Sequence, residues 1–140
     1  MRYLGLDLGT KTLGLAISDK TGMIANNLMI LRHDENYDSL LDKLEEIIKE
    51  KEVDALVLGL PKNMDNSIGH RAEIALSFKD KLEERFNIPV YMQDERLSTK
   101  EAENLLIAND TSRKKRKRVI DGLAATIILE SFLDRERKGR

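Results

Sequence analysis

At 140 residues, 41% of them apolar and 35% charged, the chain has the size and make-up of one soluble packed domain with a heavily charged surface. It contains no cysteine, which excludes a disulfide framework, a thiolate metal site and cysteine catalysis. Net charge is −1, yet Arg113 to Arg118 are six consecutive bases, and taking them away leaves −7 on the rest. A mildly acidic body carrying one concentrated basic segment calls for an explanation.

In the opening segment MRYLGLDLGTKTLGLAISD an aspartate interrupts the apolar stretch, so it does not read as a signal peptide. No apolar run approaches the roughly 20 residues that span a bilayer. No membrane association is expected, and the cytoplasm is the expected location. Residues 2–8 and 12–18 read as two strands joined at Gly9-Thr10-Lys11. The second alternates, with Leu13, Leu15 and Ile17 on one face and Gly14, Ala16 and Ser18 on the other. A third strand is expected within 22–31, after the Thr21-Gly22 turn.

From Tyr37 to Glu52, Leu40, Leu41, Leu44, Ile47 and Ile48 recur at helical spacing. The apolar run VDALVLGL then suits a strand buried on both faces. After the polar loop KNMDNSIGH, a second helix presents Ile74, Phe78 and Leu82, and IPVYMQ is the next strand. Ser98 and Glu101 form a capping-box pattern that opens a third helix. The basic run then precedes a last helix carrying Ile120, Leu123, Ala124, Ile127, Ile128 and Phe132. This order implies an α/β domain over residues 1–140, built on one mixed sheet covered by helices.

Asp7 shares a strand face with Gly5 and Gly9, while Leu4, Leu6 and Leu8 point the other way. A carboxylate in a buried strand is costly unless paired or bound to a metal; it reads either as a metal ligand or as a cap on the following turn. Glu95 follows the strand IPVYMQ, at the edge where ligands gather in open α/β sheets. Its alternative is an exposed loop with a local ion pair among Asp94, Glu95 and Arg96. Asp121 lies in the last helix beside Gly122, Ala124 and Ala125, small residues that permit close approach to the sheet; it reads equally as a partner of the helix dipole. Three acids from separate elements at one sheet edge suit Mg²⁺, a hard ion that takes oxygen ligands, and two such ions can clamp both reacting oxygens of a phosphodiester. His33 and His70 stand isolated in predicted loop regions and read as surface residues rather than ligands. The basic run, placed directly before a helix where the dipole disfavours positive charge, points to a polyphosphate partner. A solvated like-charge block and a nuclear-import tag are the alternatives.

The segments DLGTKTLGLAISD, LGLPKNMDNS, QDERLSTKEAE and KKRKRVIDGLAATIILESFL resemble, in order and spacing, the YqgF/RuvX family of bacterial RNase H-like proteins. The resemblance runs essentially the whole length. It implies an RNase H-like fold: a five-stranded mixed sheet, its first three strands antiparallel and the others parallel, flanked by helices. It further implies a metal site built by Asp7, Glu95 and Asp121 around Mg²⁺ or Mn²⁺. The implied activity is a two-metal nuclease that matures the 5′ end of pre-16S rRNA, in contact with structured RNA or the ribosome. Resolution of four-way DNA junctions is the alternative, and a non-catalytic nucleic-acid-binding module a further one.

Lys117 matches a basic position before the last acid, and Asn63 and Ser67 belong to a family loop near the substrate. With Thr10, Lys11, Arg96 and Lys114 they make up the expected substrate contacts. Thr12 stands where many relatives carry arginine, and Asn66 where glycine is usual. An ATPase or sugar kinase also opens on D-L-G-T, but such proteins bind nucleotide between two domains, and this length suits one. Monomer and homodimer both stay open.

Overall fold

The computed structural model describes residues 1–61, 69–94 and 113–138, with residues 113–122 and 138 described by their backbone. Five strands, β1 (Tyr3–Leu8), β2 (Thr12–Ser18), β3 (Ala25–Arg32), β4 (Ala55–Leu60) and β5 (Val90–Asp94), form one sheet in the order β3-β2-β1-β4-β5. The first three pair antiparallel, and β1, β4 and β5 run parallel. That is the mixed sheet expected of an RNase H-like chain. The helix expected from Ser98 lies outside the described residues.

The strand pattern sorts side chains onto two cores. Leu4, Leu6, Leu13, Leu15, Leu56 and Leu58 face α1 (Tyr37–Glu50) and α2 (His70–Arg85), which contribute Leu40, Leu44, Phe78 and Leu82. Tyr3, Ala16, Ala55 and Val57 face α3 (Arg113–Lys138), which contributes Ala125, Ile128, Leu129 and Phe132. The continuous apolar run in β4 therefore fills both cores, as a central parallel strand must. α1 begins where the Asn36 side chain accepts the amide of Ser39 at 3.2 Å, a cap that satisfies one orphan donor of the first turn.

Two expectations need correction. The basic run is not a lead-in to the last helix: α3 starts at Arg113, so Arg113 to Arg118 form its opening turns, with no acidic residue among them. Lys and Arg are good helix formers, so the basic run sustains helix without any apolar residue of its own. His33 is not a surface residue either. It is only 5% exposed, because the chain leaving β3 folds back over the β1–β2 turn. His70, by contrast, is exposed and forms the first turn of α2.

Candidate active site

Asp7 lies next to the last residue of β1 and is partly buried on the face that packs against α3. Its partner in register on β2 is Gly14. On the other side, Leu6 pairs with Leu58, and one further step brings Asp7 level with Gly59, which pairs with Gln93. No side chain from either neighbouring strand thus flanks the carboxylate at its own level. Gly5, two residues earlier on the same face, completes the clearing. A methyl there would sit 2.9 Å from Leu129 Cβ, closer than real carbon contacts, and 3.1 Å from the Ala125 carbonyl oxygen, a tight approach to backbone. Glycine at this position is what lets α3 lie down on β1.

The direction of α3 follows from its contacts. The ring of Tyr3 meets that of Phe132 with centroids 5.4 Å apart, while Gly5 meets Leu129 and Ala125. Moving along β1 toward Asp7 therefore means moving back along α3, and Asp121 lies in this helix one turn before Ala125. The parallel strands end together at this edge: Leu60 of β4 pairs with Asp94 of β5, and Glu95 is the next residue, outside the described ones. Gln93 carries a buried side-chain oxygen, Oε1, with no hydrogen-bond partner among the described residues. An orphaned buried acceptor is uncommon in folded proteins and marks a place where a ligand can satisfy it.

The turn that follows Asp7 is braced on every side. Gly9 N–H donates to the Thr12 carbonyl at 2.8 Å, and His33 N–H donates to the Lys11 carbonyl at 3.0 Å. Nδ1 of His33 accepts the Glu35 amide at 3.1 Å, so its proton must reside on Nε2. Nε2 then donates to the Gly9 carbonyl at 3.0 Å. From the start of α2, Arg71 donates to the Leu8 carbonyl and to Thr10 Oγ1, each at 3.1 Å. Thr10 and Lys11 are left exposed at the tip of the turn.

Among the described residues, no three His, Cys, Asp or Glu side chains come together to hold a metal. Of the expected site residues, Asp7, Thr10 and Lys11 are gathered at one edge. Asp121, Lys114 and Lys117 lie in α3, and Asn63, Ser67, Glu95 and Arg96 lie outside the described residues. Sequence reasoning missed His33, Arg71 and Gln93. Only Gln93 had a signal, as a polar residue ending an apolar strand.

Away from this edge, Asp19 is a carboxylate with a perturbed proton affinity. Asp19, at the opposite end of the sheet, accepts the Thr21 hydroxyl and the amides of Met23 and Ile24, with distances of 2.9 and 3.1 Å to the amides. Led by the Thr21 hydrogen bond, these donors hold its carboxyl well below the usual carboxylate range. It is a turn-forming group.

Among the described residues no helix is long and apolar enough to cross a membrane. A family model described as RuvX, Holliday junction resolvase, matches residues 1–135. A "Putative pre-16S rRNA nuclease" of Geobacillus kaustophilus is 54% identical over 138 residues, covering 98% of this chain and all of that protein. Among solved structures, Thermus thermophilus RuvC in complex with a Holliday junction substrate superposes with a TM-score of 0.57 at 18% identity, over 97% of this chain and 96% of that one. The fowlpox virus resolvase in complex with Holliday junction DNA superposes at 0.56 and 15%, over 97% and 99%. With its fold shared by these resolvases and its sequence matched over nearly its whole length, the chain belongs to the RuvX family.

Proposed function

We propose that this protein is a divalent-metal-dependent nuclease that hydrolyses phosphodiester bonds in the 5′-end processing of pre-16S rRNA, with Asp7, Glu95 and Asp121 as its metal-binding carboxylates. The observation that supports this most is the opposed run of β1 and α3. Two strand residues from Gly5 to Asp7 advance about 7 Å. Four helical residues from Ala125 back to Asp121 advance about 6 Å. Matching strides from a shared contact bring the backbone of residue 121 to the level of Asp7, and Glu95 follows directly on a strand ending at the same edge.

The donor set fits a hard cation. It is made of oxygens, with Asp7 set between Gly14 and Gly59 on the neighbouring strands and Gln93 Oε1 in that same row without a partner among the described residues. The imidazole of His33 has both nitrogens engaged by the turn and is not offered as a ligand. Asp7, Glu95 and Asp121 would hold Mg²⁺ or Mn²⁺, which would supply Lewis-acid stabilisation of the attacking and leaving oxygens of the phosphodiester.

The chain's own residues do the rest. The braced turn fixes Asp7 from its C-terminal side and presents Thr10 and Lys11 to the nucleic-acid backbone. Lys114 and Lys117, in the basic opening of α3, extend that contact along the phosphates, and Asn63, Ser67 and Arg96 complete it. With aromatic residues at 4%, few bases can be stacked, so recognition rests on shape and phosphates, or on the ribosome as a partner.

A second reading, resolution of four-way DNA junctions, is favoured by the family description and by junction-bound neighbours of the same fold. It would require two copies arranged about the two-fold axis of the junction. The deciding experiment incubates a labelled pre-16S rRNA 5′ segment and a four-way junction with Mg²⁺, Mn²⁺ or chelator, using wild type and Asp7→Asn. Metal-dependent RNA cleavage lost in Asp7→Asn supports the processing nuclease, and paired symmetric nicks in the junction support the resolvase. Binding without cleavage under every condition would leave a non-catalytic module.

A further inference from the structure

Most described basic side chains that make polar contacts are matched to acids. Lys79 meets Glu83, Arg137 meets Asp134, and Arg85, at the far end of α2, meets both Asp42 and Glu45. Arg71 is different. It occupies the first turn of α2, where the helix dipole disfavours a cation. Its two acceptors, the Leu8 carbonyl and Thr10 Oγ1, are both neutral, and it makes no ion pair with any described carboxylate.

Those two bonds fix its position closely. The carbonyl belongs to the residue after Asp7, and the hydroxyl belongs to the exposed tip of the turn beside Lys11. A guanidinium carries more N–H donors than two acceptors use, arranged in a planar fork that matches phosphate oxygens. Arg71 is exposed, so donors that these two bonds leave unused can meet a ligand from solvent. A residue serving only to brace the turn would not need a charge placed against a helix dipole.

We infer that Arg71 is a phosphate-binding residue of this site: held by Leu8 and Thr10, it presents its charge, matched by no described carboxylate, to a backbone phosphate beside Asp7. The inference rests on the nuclease reading and adds to it a contact on the opposite face of the sheet from the basic turns of α3. A phosphate contact releases counterions, so its loss lowers the salt dependence of binding.

The test measures binding of a fluorescein-labelled RNA hairpin in chelator, where cleavage is off, across a range of NaCl concentrations. Arg71→Gln keeps an N–H donor for the turn but removes the charge, whereas Arg71→Lys keeps the charge. The expected result is a slope of log affinity against log salt that falls by about one in Arg71→Gln and stays at the wild-type value in Arg71→Lys. Thermal melting of each variant reports any loss of the brace separately. In the Mg²⁺ reaction, KM should rise more than kcat falls. An unchanged slope in a folded Arg71→Gln protein would overturn this inference alone, while absence of salt-dependent binding in the wild type would overturn it together with the nuclease reading.

Discussion

His33 Nε2 donates to the Gly9 carbonyl at 3.0 Å, joining the end of β3 to the turn that follows Asp7. Since Nδ1 accepts the Glu35 amide at 3.1 Å, both ring nitrogens are committed and one neutral tautomer is selected. A buried imidazole in this setting acts as a spacer of fixed length between two backbone segments. Its ring also lies 5.4 Å from that of Tyr37, which ties the turn to the start of α1.

His33→Ala would strand the Gly9 carbonyl and the Glu35 amide in a partly buried setting. We expect a loss of about 1–3 kcal/mol in unfolding free energy, the range for leaving buried polar partners unsatisfied. Urea titration checks it. A variant with wild-type stability would show that solvent replaces the imidazole at no cost.

The glycines around Asp7 divide into two kinds, and substitution separates them. Gly5→Ala places a methyl 2.9 Å from Leu129 Cβ and near the backbone of Ala125, so α3 must shift. Overpacking of this kind costs about 1–3 kcal/mol, and the expected readout is a lower midpoint in denaturant. Gly14→Val instead adds bulk at the partner position of Asp7 on β2. There the expected effect is on metal-dependent cleavage, a loss beyond tenfold, the lower bound for disturbing the surroundings of a metal ligand. Equal loss of stability and activity in both variants would refute the distinction.

Asp19 gives a pH prediction. Its carboxyl is held below its ordinary value of 3.8 by the Thr21 hydroxyl and by the amides of Ile24 and Met23. A depressed folded-state affinity contributes stability that is present above the unfolded value and is lost as pH falls through the folded one. The stability gap between wild type and Asp19→Asn should therefore be widest near neutrality, unchanged down to about pH 5, and narrower in acid below 3.8. Because the group is exposed, the gap should be modest and should shrink further in high salt. Denaturant titrations at several pH values check it, and a gap that widens in acid would contradict the assignment.

Much of the fold was legible in the sequence because the signals are local. Alternation placed Leu13, Leu15 and Ile17 on one face of β2, and the nearly continuous apolar run of 53–60 announced a strand covered on both sides, as β4 is. Asp7 was conspicuous because it is a carboxylate in an otherwise apolar strand. Local pattern misled where it met charge and isolation. The basic run looked like a segment preceding the last helix since nothing apolar marks it, yet its residues favour helix and begin α3. His33 looked like a lone surface residue since its burial comes from the turn across the sheet.

By itself, then, the sequence determined the element types, the faces of the strands and the acids available for chemistry, because periodicity and residue type act within a few neighbours. The tertiary structure alone decided which groups surround Asp7. Gly59 reaches its level through the β1–β4 pairing, His33 lies 24 residues from Gly9, and Arg71 lies 63 residues from Leu8. Such distant pairings have no local period. They are fixed by burying both faces of the sheet under helices, which settles where every chain segment must return.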